Sequence, residues 1–307
     1  MAKISIDGSA GTTGLRIRER LATRDDLELI ILSEERRKDA EARREALNAC
    51  DVAFLCLPDA AAVEAVSMVE NPNVTVIDTS TAHRTKAGWS YGFPELWGKR
   101  DEIRSSRRIA NPGCHASGFV ALVEPLIRNG LLAPDTKLTA YSLTGYSGGG
   151  KKMIAEYEDE SRDVLLDAPR MYGLGQTHKH LPEMSAVCGL KQAPVFCPVV
   201  APYYSGMEVT VPLFGEWLKG SVEELCALYA DYYRTGLVRF TGNADEGGFL
   251  SANAMTGRDD MQISVHGNAD RILLVARFDN LGKGASGAAI QNMNLILGVN
   301  EAEGLVV

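Results

Sequence analysis

Short apolar strand patterns alternate with helix-forming segments through the first third of the sequence. The strand patterns lie at 3–6, 27–32, 52–57 and 74–77, and the helical segments lie at 15–21, 34–49 and 60–69. Asp59 is the predicted cap of the last of these helices. This alternation predicts right-handed β-α-β units, and hence a parallel sheet covered by helices on both faces. The expected class for this part of the chain is therefore α/β.

The pattern changes at about residue 137. Longer alternating runs follow, at 137–146, 195–203, 207–213, 261–265 and 271–278. Such runs predict a mixed or antiparallel sheet. Two further helices are expected at 222–233 and 285–297. A length of 307 residues also suggests two domains.

The charge balance and the cysteines narrow the class of protein. The net charge is −8, which argues against a nucleic-acid partner, because such proteins usually carry a basic face. No apolar run reaches the ~18 residues of a membrane helix, and the N-terminus lacks a signal-peptide pattern. The six cysteines show no zinc-ligand spacing, so no metal is expected. The expectation is a cytoplasmic protein with reduced thiols and no membrane partner.

A glycine-rich loop joins the first strand to the first helix. Its spacing is G-x-x-G-x-x-G over residues 8–14. Glycines allow the backbone to approach a pyrophosphate, and the helix N-terminus offers free N–H groups and a positive dipole end. This position favours dinucleotide binding over a purely structural turn. The residues expected to contact the cofactor are Gly8, Ala10, Gly11, Thr12, Thr13 and Gly14.

The segment after the second strand bears on the choice between NAD and NADP. A carboxylate there would bind a ribose hydroxyl, whereas basic residues accommodate a 2′-phosphate. The sequence has Ser33, followed closely by Arg36, Arg37 and Lys38. NADP is therefore the expected cofactor. Glu34 leaves NAD open, and the basic residues could instead be ordinary surface charges.

One cysteine differs from the other five in its local sequence. Cys114 follows Asn111-Pro112-Gly113, and a helix is predicted at 116–127. A thiol at or near a helix N-terminus has a lowered pKa, and its thiolate attacks activated carbonyl carbon. Cys114 is therefore the candidate nucleophile, and the other cysteines are expected in the core.

A thiolate nucleophile needs a partner for proton transfer, which is most often a histidine. His178 and His180 lie close to Glu183 within residues 177–184. In an extended segment the two histidines would share a face. A metal site would use the same residue types, but the sequence offers no obvious third ligand.

Seven segments, taken together and in order, resemble the N-acetyl-γ-glutamyl-phosphate reductases. These are NADPH-dependent enzymes of arginine biosynthesis, and the chain is similar to the shorter of their two forms over essentially its whole length. The segments are 8–14, 78–84, 91–95, 111–114, 146–151, 178–183 and 279–285.

The resemblance implies a Rossmann-like NADP-binding domain at 1–113 and 284–307, with an α+β catalytic and oligomerisation domain at 114–283. It implies reduction of an acyl phosphate through a thioester on Cys114. The family's catalytic histidine falls in the pair His178 and His180, and we favour His180 because Glu183 lies three residues later. A homo-dimer or homo-tetramer is also implied.

The resemblance also implies roles for residues outside the nucleophile region. Arg84 matches an arginine that binds the substrate phosphate in related semialdehyde dehydrogenases, and Ser80 and Asn280 match residues at the cofactor. Many relatives have an acidic and an aromatic residue before that arginine, where this chain has Ala82-His83. Lys151, after a glycine-rich turn, is either a second phosphate ligand or an ordinary exposed lysine.

Two other interpretations of the function remain open. An aspartate-semialdehyde dehydrogenase would use the same chemistry on a different acyl phosphate. A non-catalytic dinucleotide-binding regulator would need the loop at 8–14 but no reactive thiol.

Overall fold

The computed structural model describes residues 1–242 and 244–307. In chain order the strands are β1 (Ala2–Asp7), β2 (Leu27–Ile30), β3 (Val52–Leu55), β4 (Thr75–Asp78), β5 (Ser90–Tyr91), β6 (Arg108–Ala110), β7 (Thr139–Gly145), β8 (Arg170–Met171), β9 (Val195–Ala201), β10 (Met207–Phe214), β11 (Val238–Phe240), β12 (Met261–Gly267) and β13 (Arg271–Phe278). The α-helices are α1 (Thr12–Leu21), α2 (Ala40–Asn48), α3 (Asp59–Ser67), α4 (Lys99–Ser105), α5 (Cys114–Arg128), α6 (Gly150–Glu158), α7 (Leu181–Cys188), α8 (Val222–Tyr232) and α9 (Gly287–Leu297).

The chain divides into two compact units. Unit 1 comprises Met1–Pro112 and Ala285–Val306, and unit 2 comprises Gly113–Gly284 with Val307. The chain therefore leaves unit 1 just before α5 and returns to it before α9.

Unit 1 is built on a six-stranded sheet in the order β2-β1-β3-β4-β6-β5, and every pair is parallel. The chain runs from β1 to β2 on one side and continues with β3 on the other. Ligands of such sheets bind at the carboxyl ends of the strands where this change of side occurs. The predicted parallel α/β sheet is confirmed.

Both faces of this sheet are buried, which explains why its strands read as nearly continuous apolar runs. Ile4 and Phe54 pack on one face, and Ala53 and Leu55 pack on the other. The last helix, α9, contributes Ile290 to the first of these two clusters.

Two details of the predicted helices are wrong. The helix expected at 34–49 begins at Ala40, because Asp39 caps it by accepting the N–H of Ala42 at 2.8 Å. Asp59 is the first residue of α3 and Pro58 is its N-cap. The Asp59 carboxylate instead accepts the N–H of Thr81 at 2.9 Å, so it holds the turn after β4.

Unit 2 contains a seven-stranded sheet in the order β11-β12-β13-β10-β7-β9-β8. It is mixed, since β7 and β9 pair in parallel while β10 pairs antiparallel to both β7 and β13. The predicted mixed sheet is confirmed. The central helix α5 packs on one face, where a Cβ on Gly118 would lie 2.6 Å from Val209.

The opposite face of this sheet carries exposed apolar side chains. Tyr141 pairs with Thr210, and Leu273 pairs with Pro212, so these residues point to the same side as Phe214. Tyr141, Phe214 and Leu273 are each more than 40% exposed. We call these three side chains, with Val195 of β9 beside them, the apolar sheet face. None of the helices described by the structure is long and apolar enough to cross a membrane.

Candidate active site

Cys114 is the first residue of α5, with Gly113 as the N-cap. The side chain is partly exposed. The residues that follow it in the first turn, His115, Ala116 and Ser117, carry no fixed negative charge. The positive end of the helix dipole and the N–H groups of this turn therefore favour a thiolate at Cys114.

Glu183 connects the starts of two helices in unit 2. It lies in the first turn of α7 and is 1% exposed. Its carboxylate accepts the backbone N–H of Gly113 at 2.9 Å. The buried carboxylate thus fixes the turn that presents Cys114, while its negative charge lies at the favourable end of α7.

His178 and His180 lie side by side just before α7. Their ring centroids are 4.7 Å apart, and the backbone N–H of His180 donates to Nδ1 of His178 at 3.2 Å. The neutral His178 ring therefore carries its proton on Nε2. His180, the N-cap of α7, is 5% exposed, whereas His178 is half-buried.

The loop that carries these histidines is anchored to β9. Gln176 has φ of 53°, an uncommon left-handed conformation for a residue with a side chain. Its amide replaces a strand partner by donating to the carbonyl of Phe196 at 2.7 Å and accepting the N–H of the same residue at 2.9 Å. The strained residue thus holds the segment two positions before His178.

The structure adds two site residues that the sequence reasoning missed. His115 lies next to Cys114 in α5, and its Nδ1 and Nε2 lie 2.7 Å from the hydroxyls of Ser142 and Tyr172 respectively. The pKa of Tyr172 is raised, first by burial and then by the Cys114 charge. In the sequence, the only indication that His115 belongs to the site is its position next to Cys114. Nothing in the local sequence of Tyr172 indicates that it belongs to the site.

Four of the five other thiols have environments that suppress reactivity. Only Cys50 and Cys188 are buried in the core as expected, whereas Cys56, Cys197 and Cys226 are partly exposed. Burial raises the pKa of Cys50 to about 11 and that of Cys56 to about 12. Burial also raises the pKa of Cys188 and of Cys226. These four thiols therefore stay protonated at neutral pH.

The turn after β13 lies behind the cysteine. A Cβ on Gly284 would be 3.0 Å from the Cys114 Cβ, so this position admits little more than a glycine. Asn280 in the same segment accepts the N–H of Gly206 at 2.9 Å and donates to the Ser147 hydroxyl at 3.0 Å. Asn280 is 2% exposed, and its amide joins the turn after β7, through Ser147, to the turn before β10, through Gly206.

Lys151 lies in the first turn of α6 and is exposed. Lys283, by contrast, is 1% exposed within the helical turn Gly282–Ser286. The sequence reasoning assigned Lys283 no role, although it lies in one of the segments that carry the family resemblance.

In unit 1 the glycine-rich loop follows β1 directly. Gly8 has φ of +88°, and a Cβ there would lie 2.2 Å from the carbonyl oxygen of Cys56. A Cβ on Gly14 would lie 2.4 Å from the carbonyl oxygen of Gly8. Both positions therefore require glycine, and α1 starts within this segment, at Thr12, with Gly11 as its N-cap.

A pocket of about 290 Å³ opens beside this loop. It lies at the carboxyl ends of β1 and β2, with Leu57 after β3 at its side, and this is the edge of a doubly wound sheet where nucleotides bind. The residues that line it include Asp7, Gly8, Ala10, Arg37, Lys38 and Arg43. The three basic side chains and the loop at a helix N-terminus fit the phosphates of a dinucleotide.

The basic residues after β2 divide into two groups. Arg37 and Lys38 line the pocket, and Arg37 Nε also lies 2.6 Å from the Glu34 carboxylate. Arg36 lies outside this lining, 3.6 Å from Glu45 on an exposed surface. Ser33 is exposed, and its carbonyl accepts the N–H groups of both arginines.

The pocket floor also contains a charge pair that the sequence reasoning missed. Arg43 Nη2 lies 3.0 Å from the Asp7 carboxylate, and both side chains are about 10% exposed. Burial raises the pKa of Asp7, although Arg43 lowers it in part. The pair closes the end of β1 against α2.

Arg84 follows a buried hydrogen-bonded turn at the end of β4. The Asp78 carboxylate accepts the Ser80 hydroxyl at 2.7 Å and lies 2.6 Å from Nδ1 of His83. The Arg84 guanidinium donates to the carbonyls of Asn111 and Thr79, each at 3.0 Å. These contacts hold Arg84 at the ends of β4 and β6. The Ser80 hydroxyl, by contrast, stabilises the turn that precedes Arg84.

Two family models match the chain. The model described as the NAD binding domain of semialdehyde dehydrogenases matches residues 3–106, and the model described as their dimerisation domain matches residues 114–280. The chain thus belongs to the semialdehyde dehydrogenase class, and Cys114 is the first residue that the dimerisation-domain model matches.

Curated relatives give the particular family. N-acetyl-gamma-glutamyl-phosphate reductase 2 of Nostoc sp. is 46% identical, and the alignment covers 99% of each chain. The reductase of the same name from Allorhizobium ampelinum is 47% identical over 96% of this chain and 99% of its own. The chain belongs to the N-acetyl-γ-glutamyl-phosphate reductase family.

Solved structures with the same fold are aspartate-semialdehyde dehydrogenases. The Vibrio cholerae enzyme II has a TM-score of 0.73 at 17% identity, covering 97% of this chain and 98% of its own. The Candida albicans enzyme with NADP has a TM-score of 0.67 at 15% identity, covering 97% and 99%. At these identities the likeness concerns the fold.

Proposed function

We propose that the protein reduces N-acetyl-γ-glutamyl phosphate with NADPH to N-acetylglutamate 5-semialdehyde and phosphate. The observation that carries this proposal is the position of Cys114 as the first residue of α5, with Glu183 holding the preceding backbone. Family membership supplies the substrate. The net charge of −8 does not oppose an anionic substrate, because a few local cations suffice.

The first step forms a thioester. The Cys114 sulfur attacks the acyl carbon, a carbon–sulfur bond forms, and the bond to the phosphate oxygen breaks. His180 takes the thiol proton and passes it to the departing phosphate. We propose His180 for this exchange because Nδ1 of His178 is occupied by a backbone N–H.

The second step is the reduction. NADPH, when bound, supplies the hydride that reduces the thioester carbonyl. The N–H groups at the start of α5 and the Nε2–H of His178 are donors for the developing oxyanion. Collapse of the tetrahedral centre breaks the carbon–sulfur bond and releases the aldehyde. The departing Cys114 thiolate takes a proton from solvent through His180, which restores the thiol for the next cycle.

The chain's cofactor contacts follow from the pocket in unit 1. The loop at 8–14 would hold the pyrophosphate, and Arg37 with Lys38 would hold the 2′-phosphate that distinguishes NADP. Ser33 and Ser80 would shape the loops that carry them, and Asn280 would hold the turns at Ser147 and Gly206 in unit 2. Arg36, which lies at Glu45, would make no direct contact with the 2′-phosphate.

Arg84 is the proposed ligand of the substrate phosphate. Its planar guanidinium can bind two phosphate oxygens, and its backbone partners hold it at the ends of β4 and β6. Lys151, which is exposed, is the second proposed cation.

Domain roles and assembly complete the proposal. The dinucleotide-binding domain is 1–113 with 284–307, and the catalytic domain is 114–283. The match to a dimerisation-domain model supports a homo-dimer or homo-tetramer. We propose that a second copy covers the apolar sheet face, and that the enzyme works in the cytoplasm.

A phosphate-dependent assay of NADP reduction tests the activity. N-acetylglutamate semialdehyde and aspartate semialdehyde are compared as substrates at equal concentration, and the acetylated substrate should react much faster. The reverse preference would transfer the protein to aspartate-semialdehyde chemistry. No turnover of either, with a Cys114 that iodoacetamide modifies only slowly, would indicate a regulator.

A further inference from the structure

His115 is a buried histidine at the centre of the rings near Cys114, and the mechanism above gives it no role. It is 3% exposed. Its ring centroid lies 5.6 Å from the centroids of both His178 and His180, and 5.3 Å from that of Phe196. A change in this ring would therefore reach both histidines of the proposed mechanism.

His115 is neutral at physiological pH. Burial, and secondarily the nearby His178, lower its pKa to about 3. A ring that stays neutral does not exchange protons with substrate near pH 7. Its two nitrogens are nevertheless engaged, one with the Ser142 hydroxyl of β7 and the other with the Tyr172 hydroxyl, each at 2.7 Å.

The chain of contacts from Ser142 through His115 to Tyr172 joins the sheet to the loop after β8. Ser142 is fully buried, so the chain has a fixed origin in the sheet. Tyr172 remains a hydroxyl, since burial raises its pKa. Its ring lies 5.9 Å from His178 and 6.1 Å from His115. The two polar contacts therefore orient two rings that both touch His178.

We propose that His115 is a positioning residue for the proposed reaction. Through its hydrogen bonds to Ser142 and Tyr172, it holds the rings of His178 and His180 beside Cys114. The inference rests on the proposed function for its kinetic consequence. It assigns His115 a role in that function, in which the buried neutral ring acts through the side chains that it contacts.

Matched substitutions separate the hydrogen bonds from the packing. His115→Phe keeps an aromatic ring in place but removes both hydrogen bonds. Tyr172→Phe removes one of the same hydrogen bonds from the other end. If the residues act as one chain, the double variant is no worse than His115→Phe alone, so the effects are not additive. His115→Gln restores an amide donor and acceptor and should recover part of the loss.

The experiment measures kcat and KM for the wild type, the two single variants and the double variant. We expect kcat to fall about threefold to tenfold in Tyr172→Phe, the range of one hydrogen bond, and at least as far in His115→Phe, which loses two, with KM changed less than about twofold in both. Tyr233→Phe is the control, because it removes a buried hydroxyl bonded to the Ala121 carbonyl on the same helix, α5. It should leave kcat unchanged.

A second readout needs no substrate. The rate of Cys114 alkylation by iodoacetamide is followed against pH, and His115→Phe and Tyr172→Phe should change this profile alike. Additive effects of the two substitutions, or a wild-type kcat and alkylation profile in folded His115→Phe, would overturn the inference. A wild type that does not reduce the acyl phosphate would overturn the proposed function, while the alkylation profiles still decide the role of His115.

Discussion

Cys114 and Cys226 show how position decides the behaviour of a thiol. Cys114 begins α5, whereas Cys226 lies within α8 and has a pKa raised by burial. We expect Cys114→Ser to abolish acyl-phosphate reduction while NADPH still binds with its normal affinity, because the hydroxyl is a far weaker nucleophile. Cys226→Ser is the matched control and should retain activity. Steady-state assays and a fluorescence titration with NADPH check both, and turnover by Cys114→Ser would contradict the covalent route.

His178 and His180 are expected to have different roles in the reaction. His180→Asn removes the proposed proton carrier and should lower kcat by about a hundredfold or more, with loss of a limb of the pH–rate profile. His178→Asn removes an oxyanion donor but leaves the proton carrier, so its smaller loss in kcat should keep the shape of the profile. The pH dependence of kcat over both variants is the measurement. The opposite pattern would assign proton transfer to His178.

His115 makes stability depend on pH. Its pKa is about 3 in the folded chain, against an ordinary value of 6.5. Between these values the unfolded chain binds a proton that the folded chain does not, so stability is lost as the pH falls below about 6.5. At pH 5 the loss amounts to about 2 kcal/mol. Urea unfolding at pH 7.5 and pH 5.0 should show this loss in the wild type but not in His115→Phe; equal losses would argue against a buried neutral ring.

At the scale of elements, we propose that the segment between β2 and α2 selects NADP over NAD. Arg37 lines the pocket and Arg36 lies at the exposed Glu45. Arg37→Ala should weaken NADPH binding about tenfold by removing one charge-assisted phosphate contact, with NADH binding unchanged. Arg36→Ala is the adjacent control and should have little effect on either. Calorimetric titration with both nucleotides measures the difference, and equal weakening by the two variants would remove Arg37 from the 2′-phosphate site.

Local sequence predicted elements best where one short-range signal dominates. The turn at Pro112-Gly113 followed by an apolar helix placed Cys114 correctly near a helix start, because both signals act within a few residues. The start of α2 was placed too early, since helix-forming residues at 34–38 say nothing of the Asp39 cap that begins the helix later. The local sequence predicts Asp59 as a helix cap, because nothing near it reveals its actual partner, Thr81, which is 22 residues away.

The difference between short-range and long-range signals also explains which site residues the sequence predicts. The cysteine and the histidine pair were found from adjacent residues, but Tyr172 and Ser142 reach His115 only through the fold of the sheet. Arg43 and Asp7 are 36 residues apart and meet only because α2 packs on β1. Contacts between distant positions leave no local periodicity, and a single sequence therefore does not reveal them.

At the scale of the whole molecule, the exposed side of the unit 2 sheet bears on assembly. A sheet normally buries one face, and here α5 covers only one of the two. The single chain therefore leaves the apolar sheet face uncovered, with Leu273 at 41% and Phe214 at 54% exposed. Combined with the match to a dimerisation-domain model, it favours self-association through this face.

Leu273→Asp tests this assembly directly. A carboxylate on this face should be desolvated on association, so the variant should run nearer the 33.2 kDa of one chain, whereas the wild type should run as a dimer or tetramer. Val164→Asp is the matched control, because Val164 is 76% exposed but lies outside the sheet. Size-exclusion chromatography with light scattering measures all three. A monomeric wild type at micromolar concentration, or an unchanged mass for Leu273→Asp, would exclude this face as the interface.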